Sequence, residues 1–263
     1  MPSAYIALRF QDVVCLEGME IRKTRSTSRR ATASVLLCGV AVLLLSAQPA
    51  FPISESVQDL EQRLQNLLEE KGRRASDPAI FVKLADLYLD LGDEAYQDKV
   101  KRRAAYEEGA KFARQAIDLQ ERNADAHYLY AANLGSAAQL KGTMASALTV
   151  RDLKAHVRRA LELNGNHAPA LHMMGMMLEE LPWLLGGDAD AALTYLKRAV
   201  AADPAYIHAR LDLAKVYLKR HASDEARREL QAIVEGPEPA ALSAGARRYR
   251  DEAVSLLNTL HAR

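Results

Sequence analysis

Cysteine is nearly absent from this 263-residue chain, and its two copies, Cys15 and Cys38, both lie near the start. Past that point neither a disulfide nor a thiolate metal site can be built. Phe and Trp are scarce as well, with 4 and 1 copies, so a core must rest on small contacts between aliphatic side chains. Charge of one sign is also missing. Lys+Arg number 35 against 34 Asp+Glu, a net charge of +1, which gives no global field to steer the chain onto nucleic acid. No phosphate loop, HExxH spacing or distinct Ser/His/Asp order is present. The expectation is a protein that is not an enzyme and binds no cofactor.

Alanine, leucine, arginine and glutamate fill the space those residues leave, and 49% of the chain is hydrophobic. That composition favours helices packed on helices. The order of the residues says more. Ala192, Leu196 and Ala199 recur as Ala226, Leu230 and Ile233, 34 residues later. Leu153, Val157 and Ala160 precede the first trio by 39 residues, and Gly109, Ala113 and Ala116 precede those by 44. A small residue, an apolar one four on and another three further on make one helical stripe. Stripes returning at this period mark a helical solenoid, whose units bury their apolar faces only against one another.

The first 50 residues read differently. Met19 opens a basic stretch (Arg22, Lys23, Arg25, Arg29, Arg30), followed by the apolar run 31–47 and then Gln-Pro-Ala-Phe-Pro. Basic, apolar, then small and turn-forming is the order of a secretory signal, with cleavage after Ala47 or Ala50. Residues 1–18 then precede a complete signal starting at Met19. An uncleaved anchor at 31–47 is the alternative. Cys38 follows Leu37, not a small residue, and nine more residues of the run follow it, so lipidation there is not expected. The expected location is periplasmic or secreted, with membrane contact only through 31–47.

An N-terminal helix with Ser54 or Ser56 as cap and Val57, Leu60, Leu64, Leu67 and Leu68 as its stripe ends at Gly72. The expected organisation is a leader over 1–50, this helix and a linker over 51–76, repeats over 77–241 and a capping helix over 242–263. The fold class is an all-α solenoid of about four helix pairs, three with enlarged inter-helix segments, plus terminal helices. In the last pair, Leu213-Ala214, Tyr217, Ala226, Leu230 and Ile233 resemble the tetratricopeptide (TPR) pattern. Residues 170–204 repeat it with Met174-Gly175, Leu178, Ala192, Leu196, Ala199 and Asp203-Pro204.

Residues 181–204 (LPWLLGGDADAALTYLKRAVAADP) further resemble the T component associated with TRAP transporters. Similar segments occur in exported bacterial TPR proteins, and the regulator-of-microtubule-dynamics family has related irregular repeats. The T-component resemblance implies an all-helical periplasmic protein that oligomerises and contacts a solute-binding partner. Two functions are carried forward: a protein-binding scaffold of the bacterial cell envelope, and a transport accessory of this kind. The TPR register also implies a concave face. It would be lined by Asp86, Asn133, Met176 and Lys215, just after each packing small residue, and by Val82, Leu129, His172 and Leu211 one turn earlier.

Other candidates have plainer readings beside their chemical ones. Gly186-Gly187-Asp188 could cradle an anion, but Asp188 or Asp190 is a suitable helix cap. Met173, Met174, Met176 and Met177 fit core filling or a soft recognition face, with Cu(I) ligation as the alternative. His167 and His172 are five apart, which does not align them on a helix, so the histidines are expected to be scattered, solvated or capping. Glu69-Glu70 and Glu179-Glu180 read as solvated faces. Trp183, the only tryptophan, is expected to plug the solenoid core, with an interface anchor as its other role.

Overall fold

The computed structural model describes residues 53–236 and 243–261. The leader-like segment 1–50, with Met19, both cysteines and the run 31–47, lies outside the described residues. Ten α-helices follow in order: α1 (Ile53–Arg73), α2 (Pro78–Asp90), α3 (Lys99–Leu119), α4 (Ala124–Lys141), α5 (Thr143–Leu163), α6 (Ala168–Glu180), α7 (Ala189–Ala202), α8 (Ile207–Lys219), α9 (Ser223–Val234) and α10 (Ala244–His261). No helix among the described residues is long and apolar enough to cross a membrane.

Helices α2/α3, α4/α5, α6/α7 and α8/α9 pair, and α1 and α10 cover the two ends. The boundaries follow local chemistry. Asp77 caps α2 through Ala79 N at 2.9 Å with Pro78 in the first turn, Asp98 caps α3 and Asn123 caps α4 at 3.0 Å. Each supplies an oxygen to amides that have no partner inside the helix. Gly142, at φ 114°, adopts a backbone that only glycine takes cheaply and alone separates α4 from α5. Ser54 and Ser56, expected as caps, fall inside α1.

The residues added to the first two pairs are mostly helical. They lengthen α3 and α5 to 21 residues, against 12 in α9, as expected of stretches rich in Ala, Arg and Leu. A π-helical turn (Leu91–Ala95) ends α2. In the third pair the addition is a non-helical link with a 3-10 turn over Trp183–Leu185.

The stripes meet as their spacing requires. Leu84, Ala85, Ala113, Ala116, Ala131, Ala132, Leu153, Val157 and Ala160 are buried in one core that runs through the first two pairs into the third. Each buried leucine contributes about 2 kcal/mol relative to exposure. The alanines set the spacing between helices, and Gly175 does the same where α6 meets α7: a Cβ there would lie 2.8 Å from Leu196 Cγ. Leu60 on α1 packs against Leu87 and Leu91. At the other end Ala253 and Leu257 of α10 cover Leu211, Ala214, Leu230 and Ile233.

Helix α10 does more than cap. Ser243 hydrogen-bonds Glu94 at 3.2 Å and Arg248 donates to the Asp93 carbonyl at 3.4 Å, so the start of α10 touches the π turn of the first pair. These contacts span 149 and 155 residues of chain.

Candidate functional site

The first helix of each pair carries the positions expected to face inward, and the structure divides them into an open and a closed half. Val82, Asp86 and Leu129 share a recess of about 410 Å³ with Lys83, Asp125, Tyr128 and His167. His167 has two tasks there. Its Nδ1 accepts from Ala170 N at 3.1 Å, which caps α6, and its Nε2 lies 2.9 Å from Asp125 Oδ1. An imidazole that accepts through one nitrogen must donate through the other, so Nε2 carries the proton.

The electrostatics of this end are acidic. The hydrogen bond from His167 holds Asp125 below the usual carboxylate value, against its own partial burial. Burial, and then the charge of Asp125, push Asp86 up to about 6, with Arg63 opposing. Burial, followed by Asp86, Glu94 and Asp93, pushes Asp90 up to about 8. A carboxyl destabilised in this way gains from any cation brought beside it.

The closed half is built around α8. His172 Nε2 and His208 Nε2 converge on Asp212 Oδ2 at 2.9 and 3.2 Å. His172 Nδ1 faces the Tyr206 hydroxyl at 3.2 Å, and the Tyr249 ring of α10 stacks on His208 with centroids 4.3 Å apart. Lys215 reaches Asp212 at 3.5 Å and Glu252 of α10 at 2.9 Å. Burial raises Asp212, but the adjacent His208 and the hydrogen bonds from both imidazoles hold it well below the usual value. Burial also holds His172 below its ordinary value. The ionised carboxylate only accepts, so both Nε2 atoms donate to it and Tyr206 donates to His172 Nδ1. Among the described residues His172, His208 and Asp212 are also the one set of side chains placed to hold a metal ion.

Several expected groove residues are therefore buried or engaged by neighbouring side chains. Asn133 is fully buried and donates to the carbonyls of Ala85 and Leu129, both at 3.0 Å, which ties α2 to α4. Leu211 is buried beneath α10, and His172 within the Asp212 cluster. Lys215 is engaged by Asp212 and Glu252, and Met176 packs half-buried beside Leu171 and Leu196. Met173, Met174 and Met177 are buried in the core, the packing role expected of them.

Trp183 is not a plug. It is 79% exposed on the 3-10 turn, because the extra residues of the third pair carry it out past the end of α6. Glu179 is not on a solvated face either: its buried carboxylate pairs with Lys219 at 2.7 Å and Arg220 at 3.5 Å. Asp188 acts as a cap, accepting from Asp190 N and Ala191 N. The His208–Asp212 pair was readable as an i, i+4 spacing on one helix. Tyr249 and Glu252 had no such signal, since they act on residues far away in the chain.

These features define a TPR-type α-solenoid. The family described as "Regulator of microtubule dynamics protein 1-3" matches residues 53–180, and "Tetratricopeptide repeat" matches 184–244. The chain is 26% identical over 205 residues to regulator of microtubule dynamics protein 1 of Bos taurus, covering 69% of this chain and 64% of that protein. Against the Homo sapiens protein of the same name it is 26% identical over 155 residues, covering 53% of this chain and 49% of that one. The chain thus spans less than two thirds of these relatives. A thermophilic TPR protein of Thermus thermophilus superposes with a TM-score of 0.57 at 17% identity, covering 77% of this chain and 94% of that one. Both of these sequence relatives carry the name regulator of microtubule dynamics protein 1.

Proposed function

We propose that the protein is a non-enzymatic scaffold that holds a segment of a partner protein in the recess between α2 and α4. The observation that carries this reading is the shared recess of Val82, Asp86 and Leu129, with apolar walls and a carboxyl raised to about 6. A segment bearing Lys or Arg beside an apolar side chain fits that chemistry. Helix α10 already lies on the inner positions of the last pair, in the way a bound helix would. Ionising Asp86 strengthens the attraction, so capture should improve as pH rises through about 6.

Placement in the bacterial cell envelope rests on the run 31–47 and belongs to the proposal. So does a partner among microtubule components, which only the names of the relatives suggest. The transport-accessory alternative, with a solute-binding protein as partner and a homo-oligomer as its form, rests on a resemblance over roughly residues 77–235, most specific at the Gly186-Gly187-Asp188 turn. The test is affinity capture with the full chain and a Val82→Glu/Asp86→Lys variant. A partner retained by the native protein and lost with the variant supports the scaffold. Equal capture by both removes the recess as the binding site. Recovery of a solute-binding protein would favour the transport accessory.

A further inference from the structure

We propose that one edge of the solenoid docks onto an anionic bilayer, with Trp183, Leu184 and Leu185 entering the lipid and the α5 cations Arg151, Lys154 and Arg158 meeting the headgroups. The α4–α5 and α6–α7 connections lie at the same end of their pairs, and large apolar side chains gather there. Trp183, Leu184 and Leu185 are 79%, 73% and 53% exposed, and Met144 and Leu148 at the start of α5 are 74% and 77% exposed. Lys154 Nζ donates to the Gly186 carbonyl at 2.8 Å, which fastens the turn against α5.

The α5 cations group behind the apolar tip, while the exposed Asp188 and Asp190 stand on its other side at the start of α7. Met144, Leu148, Arg151 and Arg158 follow one another at helical spacing and share a stripe, apolar first and then cationic. Arg151 and Arg158 are exposed and make no ion pair among the described residues. Burial and the charge of Arg158 hold Lys154 below its ordinary value. Arg198 of α7 lines the adjoining recess, whose carboxylate, Glu162, is held by Arg159 at 3.1 Å. An apolar tip with an indole, collared by unpaired cations, matches the depth profile of an anionic membrane interface. A soluble partner would be expected to supply carboxylates to the cations and a hollow for a protruding turn, and nothing on this edge selects that shape. The contact is independent of the run 31–47, through which alone the sequence suggested membrane contact.

Trp183 is the only tryptophan, so its fluorescence reports this turn and no other. The experiment mixes the full chain with vesicles of phosphatidylcholine, with or without phosphatidylglycerol, whose acyl chains carry bromine as quencher. The expected result is a blue shift and quenching with the anionic vesicles. Arg151→Gln/Arg158→Gln should weaken partitioning about 25-fold, at about fivefold per cation removed. Both positions are exposed, so the variant keeps the fold, and Leu184→Ser gives a second loss without changing charge. Vesicle capture without quenching would overturn the proposal, since another segment would then carry the protein. A blue shift that follows protein concentration without lipid would also overturn it, in favour of a second copy on this edge.

Discussion

Asp90 is the residue whose replacement tests the electrostatics most sharply. Its carboxyl is raised to about 8 by burial and by Asp86, Glu94 and Asp93, and its Oδ1 is buried with no hydrogen-bond partner among the described residues. A carboxyl raised on folding binds its proton more tightly in the folded state. Its stability contribution is therefore complete below the unfolded value of 3.8 and is lost as pH rises through the folded value. Asp86, at about 6, has lost its contribution by then, which leaves Asp90 to dominate between pH 6 and 8. At about 1.4 kcal/mol for each pH unit, Asp90 costs the protein roughly 3 kcal/mol across that window. Burial holds His172 and His156 below their ordinary values, which acts in the opposite sense as pH rises through the unfolded value of 6.5. Comparing the native protein with Asp90→Asn cancels that part. In urea unfolding the variant should gain roughly 3 kcal/mol on the native protein between pH 6 and 8. Parallel stability curves over that window would refute the reasoning.

Three further outcomes follow from the packing. Gly175→Ala places a methyl 2.8 Å from Leu196 Cγ and 3.2 Å from the Ala192 carbonyl; it should cost about 1–3 kcal/mol in urea unfolding, and a neutral result would show that α6 and α7 move apart freely. Asn133→Ala removes two hydrogen bonds between and within the inner helices; a loss of about 2 kcal/mol is expected in thermal unfolding. Asp188→Ala removes the cap of α7 and should cost about 1 kcal/mol, with faster amide exchange at Asp190 and Ala191 as the local signature.

What could be read in the chain was what lies close together along it. Ala192, Leu196 and Ala199 identify a packing stripe because the helical period brings them onto one face, and all three are fully buried. Val82 and Asp86 share one face of α2 for the same reason, and Leu129 joins their recess from α4. Where expectation and structure differ, the cause is contact at long range. Leu211 and Lys215 hold their expected positions, but α10 returns over them through contacts that no periodicity encodes. Register places Asn133 on the lining face, whereas its amide turns to the Ala85 carbonyl 48 residues away. A large indole at a repeat junction suggests a plug, but the inserted turn carries Trp183 into solvent. His208 and Asp212 were legible as a four-residue spacing, and only the fold shows that His172 completes the cluster.

Hydrogen–deuterium exchange on the full chain, alone and in complex with the partner it captures, shows whether the recess between α2 and α4 receives that partner. Added protection is expected in α2 around Val82 and Asp86 and in α4 around Asp125 and Leu129, with α5 and α7 unchanged. Protection confined to the outer helices, with α2 and α4 unaffected, would contradict it.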